Sequence, residues 1–352
     1  MTETPLEARV PSDQGRKFLI VRLGSLGDVV HAIPVAAALR HAYPAARIDW
    51  LVDPLYVELL NLVESVDARI AVDPRALWQR RGRPAFLRTL GELRRVRYDA
   101  VIDLQGLLKS AVLARAARGA RTVGFPRAHL REPAARLLYT HAPDPGPTVH
   151  VVQKNLALLE AVGVSDRRVR FPVNIPRTEA VQSVTVRFAA AGYVLINPGA
   201  AWPNKRWPPE RFGAIAAALR HDHDLPSIVL WGPGEERLAA QVVDASAGAA
   251  ELAPPTTIVD IVGLARSARL MVSGDTGPLH IAGAVGTPIV ALFGPTYPER
   301  NGPWASQDVV ISRVGQCVCL YERQCKRASR CIDDIPVEEV AAAIRRRIGA
   351  HA

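Results

Sequence analysis

The stretch KFLIVRLGSLGDVVHAIP, residues 17–34, decides the fold of this chain. It begins with a short apolar run at 17–22, passes through a glycine-containing loop, and continues into an amphipathic segment from Val29 to His41. A buried strand, a tight turn and a helix, in that order, are the repeating unit of a parallel sheet covered by helices. The stretch therefore predicts an α/β fold.

Further apolar runs predict two groups of strands, separated within each group by segments with helical periodicity. The first group adds RIDWLV (47–52), DAVIDLQ (99–105) and TVGF (122–125); the second contains YVLINPG (193–199), SIVLWGPG (227–234), LMVSGDTG (270–277) and PIVALFGPT (288–296). Two such sheets in series predict a cleft between them, with ligands at the carboxyl ends of the strands.

Length and composition indicate two globular domains, because the chain has 352 residues, of which 49% are hydrophobic and 22% charged. The alternation of strands and helices stops near Pro172 and Pro176. The residues before the first strand do not resemble a signal peptide, and no apolar run reaches the ~18 residues of a membrane span, so we expect a cytoplasmic protein. The expected order is a flexible leader (1–16), an N-terminal domain (17–175), a linker (176–190), a C-terminal domain (191–335) and a final helix (336–352) free to pack on the N-terminal domain.

The net charge of +10 comes almost entirely from arginine. Residues 75–97 hold eight arginines and one acidic residue, Glu92. A basic patch of this kind suits a phosphate-bearing partner, whether nucleic acid, anionic lipid or a phosphorylated substrate. The alternative is a solvated helix face that binds nothing.

Asp28 follows Gly24 and Gly27 and falls at the start of the first predicted helix. Aspartate is favoured at helix starts as a cap. A carboxylate there is also kept ionised by the helix dipole and is ready to accept a proton as a general base. The spacing leaves both interpretations open.

The segment SGDTGPLHIAGAVGTPIVALFGPT, residues 273–296, joins a strand end to a helix that starts near Pro278. Backbone N–H groups at such a helix start point toward an anionic ligand. The segment therefore predicts a diphosphate site. Its candidate residues are Asp275, Thr276, Gly277 and His280.

Lys205 lies in a loop between Trp202 and Trp207, in a chain that contains few lysines. A cation there can neutralise the charge that develops on a leaving phosphate. Further along, Glu235 and Glu236 follow a strand end, where a carboxylate can accept hydrogen bonds from ribose hydroxyls. Glutamate is also common at helix starts for electrostatic reasons alone.

The four cysteines occur late in the chain, in the spacing C-x-C-x5-C-x5-C. In a cytosolic protein such a cluster suggests a structural metal or neighbouring thiols more than disulfides. The spacing lacks the paired C-x2-C knuckles of common zinc folds, so we expect at most a structural cluster and no catalytic metal. The residues are Cys317, Cys319, Cys325 and Cys331.

Several segments together resemble the lipopolysaccharide heptosyltransferases of glycosyltransferase family 9. They are RLGSLGDVVHAIP (22–34), YDAVIDLQGLLKSA (98–111), REPAARLLY (131–139), the Lys205 loop and the segment 273–296. The likeness runs from about Phe18 to Thr296, and the segments 98–111 and 131–139 favour the heptosyltransferase I branch. The cysteine-rich tail departs from the pattern of that branch.

The resemblance implies a GT-B fold, with two facing Rossmann-like domains and a central cleft. It implies an inverting enzyme that moves heptose from ADP-heptose to the Kdo of Kdo-lipid A, with no cofactor, as a monomer at the cytoplasmic face of the inner membrane. Asp28 would be the general base, assisted at the donor phosphates by Lys205. The implied donor-binding residues are Gly27, Lys205, Glu235 or its neighbour Glu236, Asp275, Thr276, Gly277 and His280, and the implied acceptor-binding residues are Arg75, Arg80, Arg81, Lys109 and Arg131.

Two other classes of protein fit less well. A nicotinamide oxidoreductase also has paired Rossmann-like sheets, but here G-S-L-G-D follows the first strand in place of G-x-G-x-x-G. A nucleic-acid-binding protein would account for the positive charge, but the sequence contains no recognised binding module. We therefore expect the protein to bind neither a nicotinamide cofactor nor nucleic acid.

Overall fold

Two parallel sheets organise the computed structural model, which describes residues 15–73, 75–76, 83–325 and 327–349. The prediction of two Rossmann-like domains that face each other is confirmed. Most of the predicted leader lies outside the described residues.

The first sheet has five parallel strands in the order β3-β2-β1-β4-β5. Phe18 and Ile20 of β1 pack into one hydrophobic cluster, while Leu19 and Val21 pack into another on the opposite face. The apolar run of β1 is continuous because both faces of the strand are buried. The strands are β1 (Lys17–Val21), β2 (Arg47–Val52), β3 (Ala68–Ala71), β4 (Ala100–Asp103) and β5 (Arg121–Val123), and the helices are α1 (Leu26–Val30), α2 (Ile33–Ala42), α3 (Val57–Asn61), α4 (Arg83–Arg95), α5 (Leu108–Ala116) and α6 (Val151–Ala157).

The second sheet has six parallel strands in the order β11-β10-β9-β6-β7-β8. The strands are β6 (Val194–Asn197), β7 (Ser227–Val229), β8 (Ala250–Leu252), β9 (Leu270–Gly274), β10 (Ile289–Phe293) and β11 (Val309–Ser312). The helices are α7 (Glu179–Arg187), α8 (Pro209–His223), α9 (Glu236–Asp244), α10 (Ile258–Ser267), α11 (Gly277–Val285), α12 (Pro298–Asn301) and α13 (Val337–Gly349). Helix α7 falls within the predicted linker and packs against α10.

Strands β3, β8 and β11 were not predicted from the sequence. All three lie at the edges of their sheets and are three or four residues long. Each is only partly buried, so none needs the continuous apolar run that marks the central strands.

The strand order reverses between β1 and β4 in the first sheet and between β9 and β6 in the second. Ligands of open α/β sheets bind at such switch points. Helices α1 and α11 follow β1 and β9, and they pack against each other across the domain interface. The two switch points therefore face one common cleft.

Helix α13 packs on the second sheet. Its buried residues Val340, Ala343 and Ile344 belong to the core that lies beneath β10 and α8. The expectation that this helix packs on the N-terminal domain is wrong, because its apolar stripe completes the core of the domain that precedes it in sequence.

Arg347 of α13 is expected to stabilise this docking through a buried ion pair. Its Nε lies 2.9 Å from Asp308 Oδ1, with 5% and 2% of the two side chains exposed. Removing one partner leaves a buried charge uncompensated. We expect Arg347→Ala to lower the free energy of unfolding by about 3 kcal/mol in denaturant titrations. The exposed neighbour Arg346 is the control, and equal effects of Arg346→Ala and Arg347→Ala would contradict the prediction.

Candidate active site

Asp28 lies in the first turn of α1, at the carboxyl end of β1. Its Oδ2 accepts hydrogen bonds from the backbone N–H of Ser25 (3.0 Å) and from the Ser25 hydroxyl (3.1 Å). The carboxylate therefore stabilises the start of the helix. A third of its side chain remains exposed (33%), so the same carboxylate is also accessible from the cleft.

Arg22 holds the other oxygen of this carboxylate. Its Nη2 lies 2.5 Å from Asp28 Oδ1, and only 7% of its side chain is exposed. Its Nη1 donates to the carbonyl of Leu104, and the indole N–H of Trp50 donates to the Arg22 carbonyl at 3.1 Å. Arg22 was not predicted as a site residue. The sequence shows only that a charged residue directly follows a buried strand, which could have indicated a role at the strand end.

Gln105 fixes the loop between Arg22 and Asp28. It lies just after β4, the neighbour of β1, and its Oε1 accepts from the backbone N–H groups of Leu23 (3.0 Å) and Gly24 (3.4 Å). The sequence analysis did not single out Gln105, because the contact requires two strands that are distant in sequence.

The pKa of Asp28 lies below its ordinary value. Burial by itself would raise this pKa, but the Arg22 guanidinium and the two hydrogen bonds from Ser25 lower it by more. Arg300, on the second domain, lowers it further. Asp28 is therefore ionised at neutral pH and can accept a proton.

Asp275 follows β9 and gathers several predicted donor residues. Lys205 Nζ lies 2.5 Å from its Oδ2 and His280 Nε2 lies 3.3 Å from its Oδ1. Thr296 and Asn301, which were not predicted, donate to the same carboxylate at 2.8 and 2.7 Å. Burial opposes ionisation, but His280 and Lys205 hold the pKa of Asp275 below its ordinary value. Asp275 thus positions the lysine and the histidine.

Helix α11 begins at Gly277, with Thr276 as the residue before it. The Thr276 hydroxyl accepts from Asn197 Nδ2 (3.0 Å) and contacts the Ser273 hydroxyl (3.1 Å). Among the residues that the structure describes, no side chain caps the first N–H groups of α11. These groups remain able to bind an anion in the cleft.

Glu235 turns back toward the carboxyl end of β6. A Cβ atom placed on Gly199 would lie 2.1 Å from its Oε2. The carboxylate also accepts from the Gly232 N–H at 3.3 Å and lies 3.6 Å from Arg206 Nη2. Glu236 is exposed on α9. Of the two candidate glutamates, Glu235 is the one placed beside the strand ends.

Three histidines meet where the domains join. The ring of His31 lies 4.3 Å from that of His280 and 5.8 Å from that of His150, measured between centroids. Burial and the neighbouring His280 lower the pKa of His31 well below its ordinary value, so this ring is neutral at neutral pH. The sequence analysis predicted only His280 as a site residue, because the other two come from distant segments.

Arg75 borders the loop that carries the candidate base. It pairs with Asp73 at 3.0 Å and lies 3.8 Å from Asp53. Tyr56, in the turn after Asp53, lies against Gly24, where a Cβ atom would be 2.6 Å from the tyrosine Cε2. Arg75 therefore lies at the rim of the cleft on the side of the first domain.

Lys109 and Arg131 are exposed on neighbouring elements of the first domain. The N–H of Leu108, at the start of α5, donates to Glu132 Oε2 at 2.6 Å. This bond holds the segment that contains Arg131 against the helix that contains Lys109. The other two predicted acceptor residues, Arg80 and Arg81, lie outside the described residues.

The cysteine cluster packs beside the Lys205 loop. The sulfur atoms of Cys317 and Cys319 are 3.6 Å apart, and Cys319 Sγ lies 3.9 Å from Asn204 Nδ2. Burial and the neighbouring thiols raise the pKa of Cys319 to about 11. Within the described ranges, no group of three or more His, Cys, Asp or Glu side chains has the arrangement of a metal site.

Helix α1, which carries Asp28, therefore packs against α11, whose start is uncapped and follows the carboxylate that binds Lys205. Two Rossmann-like domains with a site between them are the architecture of the GT-B class of glycosyltransferases. The sequence profile of glycosyltransferase family 9 (heptosyltransferase) matches residues 86–329, which is more than half of the chain. The chain belongs to this family.

Relatives and solved structures agree with this assignment. The chain is 28% identical over 320 residues to lipopolysaccharide heptosyltransferase 1 of Pseudomonas aeruginosa, which covers 88% of this chain and 87% of the relative. It is 26% identical to lipopolysaccharide heptosyltransferase 3 of Escherichia coli K12, over 90% of this chain and 94% of the relative. A solved structure of E. coli heptosyltransferase WaaC with ADP superimposes with a TM-score of 0.71 and 26% identity, over 87% of this chain and 96% of that one.

Replacing Arg22 should change the protonation of Asp28. Arg22→Met removes the charge that lowers the pKa of Asp28, so this pKa should rise, and the carboxylate should be protonated at a higher pH than in the wild type. Arg22→Lys should keep the pKa close to the wild-type value. The titration can be followed by carboxyl-carbon NMR, with Asp28→Asn used for assignment. An identical titration of Asp28 in folded Arg22→Met would contradict the expected role of the charge.

Proposed function

We propose that this protein is an inverting, metal-independent heptosyltransferase that moves heptose from ADP-L-glycero-D-manno-heptose to the Kdo of the lipopolysaccharide inner core. The proposal rests chiefly on Asp28, whose partly exposed carboxylate lies on α1, the helix that packs against α11 and its uncapped start. A base on one domain thus lies opposite an anion site on the other. The relatives named above are lipopolysaccharide heptosyltransferases, and a similar solved structure holds ADP.

The donor fits the second domain. The free N–H groups of α11 would bind the diphosphate, next to Lys205, of which 16% is exposed. Glu235, beside the end of β6, would accept hydrogen bonds from the ribose hydroxyls. Gly27 and Gly277 let the two helix starts approach each other, because a Cβ atom on either would collide with His280 or Leu26 of the facing helix.

The reaction is a direct displacement. Asp28 accepts the proton of an acceptor hydroxyl while the oxygen of that hydroxyl forms a bond to the anomeric carbon of the heptose. The bond from that carbon to the β-phosphate oxygen breaks, and its electron pair leaves with ADP. Lys205 and the start of α11 stabilise the negative charge on the leaving group because they are already in position before the reaction.

The acceptor fits the first domain. Kdo carries a carboxylate and lipid A carries phosphates, and Arg75, Lys109 and Arg131 are exposed on the domain that holds Asp28. Arginine suits both groups because its planar fork can donate two parallel hydrogen bonds.

The decisive experiment is incubation of the protein with ADP-heptose and Kdo-lipid A, with the product identified by mass spectrometry. One added heptose on Kdo supports the proposal. Transfer only to an acceptor that already carries heptose would assign a heptosyltransferase II type of specificity instead. Transfer from another nucleotide sugar, with none from ADP-heptose, would overturn the proposed donor.

Asp28→Asn should lower kcat by at least ~100-fold, because loss of a general base typically costs that much. Binding of the donor should change little, and the fold should persist because an asparagine oxygen can still accept from Ser25. Asp144→Asn is the control, since Asp144 is 80% exposed on the same domain and has no assigned role. Near-normal turnover of folded Asp28→Asn would leave Asp28 with the capping role alone.

Turnover should survive removal of divalent metal ions. Lys205 and the start of α11 supply the positive charge that a magnesium ion supplies in many other enzymes of nucleotide sugars. Initial rates should be equal with and without EDTA. Loss of activity in EDTA that magnesium restores would contradict the prediction. A lower melting temperature in EDTA with unchanged activity would instead indicate a structural metal at the cysteine cluster.

Arg131→Ala should raise KM for the lipid acceptor and leave KM for ADP-heptose unchanged; the same is expected of Arg80 and Arg81 replaced together. The effect should shrink as salt is added, because exposed charges are screened beyond ~8 Å at physiological ionic strength. Arg237→Ala, which removes an exposed arginine from α9, is the charge-matched control. A wild-type acceptor KM for folded Arg131→Ala at low salt would remove Arg131 from the acceptor site.

A further inference from the structure

Three large aliphatic side chains are exposed on neighbouring elements of the first domain. Leu108 and Val112 of α5 are 45% and 51% exposed, and Leu137 is 87% exposed. Single exposed apolar residues are common and need no explanation. These three lie on elements that contact each other, because α5 packs against the segment 133–138 and Glu132 holds the start of the helix.

The fold does not require these side chains. The inward face of α5 already carries Ser110, Ala111, Leu113 and Ala114, which are buried against the first sheet. Leu108 and Val112 are four residues apart and share the opposite face of the helix. Leu137 points outward from a turn whose neighbour Ala135 is the buried residue. The apolar surface is therefore additional to the core.

The surroundings of this surface are basic. Lys109 and Arg115 are exposed on α5, and Arg131 is exposed on the adjoining segment. The acidic side chain of Glu132 accepts the hydrogen bond from the Leu108 N–H and stabilises the start of α5. We call this combination of exposed aliphatic and basic side chains the α5 face. It consists of Leu108, Lys109, Val112, Arg115, Arg131 and Leu137.

We propose that the α5 face docks on an anionic lipid bilayer. Aliphatic side chains that enter the headgroup region, surrounded by lysine and arginine that meet anionic headgroups, are the two elements of interfacial membrane binding. Among the described residues no helix is long and apolar enough to span a bilayer.

The inference rests on the proposed function, in which the acceptor is anchored in a lipid layer. Lys109 and Arg131 belong both to the α5 face and to the proposed acceptor site. Docking through this face would therefore bring the headgroups of the bilayer to the side of the cleft that holds Asp28. An acceptor sugar would reach the base without leaving the membrane.

The test is co-sedimentation of the full-length protein with phosphatidylcholine vesicles that contain or lack phosphatidylglycerol. We expect wild type to bind the anionic vesicles more strongly, and less so as salt is added. The double variant Val112→Gln/Leu137→Gln should bind at least ~10-fold more weakly, because burying one aliphatic side chain is worth about a factor of ten. Val186→Gln, which alters a residue of α7 that is 76% exposed, should bind like wild type.

Equal binding of wild type and the double variant to anionic vesicles would overturn the docking proposal. A wild-type dimer that the double variant abolishes, seen by light scattering without membrane binding, would assign the α5 face to a second copy and would also overturn it. Heptose transfer to a short, water-soluble Kdo acceptor separates the two proposals. If wild type transfers heptose to this acceptor but binds vesicles no better than the double variant, the proposed function is supported and the docking proposal is wrong. If wild type glycosylates no acceptor but binds vesicles more strongly than the double variant, the docking proposal is supported and the proposed function is wrong.

Discussion

The contact between α1 and α11 is the constraint on which the candidate site depends. A Cβ atom on Gly27 would lie 2.2 Å from His280 Cδ2, and one on Gly277 would lie 2.5 Å from Leu26 Cδ2. Two helices that start at the switch points of separate sheets can therefore touch only because these positions are glycine. The carboxylate of one domain and the anion site of the other are neighbours as a result.

Buried charges in the site are compensated by partners from distant segments. Arg22, held by Leu104 and supported by Trp50, meets Asp28 in the first domain. Lys205 meets Asp275 in the second. Each pair keeps its carboxylate ionised in spite of burial. Such pairs fix the position and the protonation state of the candidate site residues, and removing one partner would leave the other charge uncompensated.

The cysteine cluster and the α5 face lie outside the proposed reaction but adjoin it. The thiol of Cys319 approaches Asn204, which precedes Lys205, so the packing of the tail supports the loop of the candidate phosphate-binding lysine. The α5 face includes Lys109 and Arg131, which belong to the proposed acceptor site. One domain thus combines the proposed base, the proposed acceptor residues and the surface proposed to meet the lipid layer.

The sequence by itself determined the two parallel sheets, their central strands and most of the candidate donor residues. Central strands are buried on both faces, so each appears in the sequence as a continuous apolar run. The candidate donor residues follow such runs directly, as glycines next to polar residues, so they can also be recognised from the local sequence. Edge strands such as β3 were missed because a partly buried strand needs no continuous apolar run. Only the tertiary structure decided three further features. They are the positions of the partners Arg22, Gln105 and Thr296, the placement of Glu235 rather than Glu236 beside the strand ends, and the docking of α13. Each depends on which distant segments the strand order brings together.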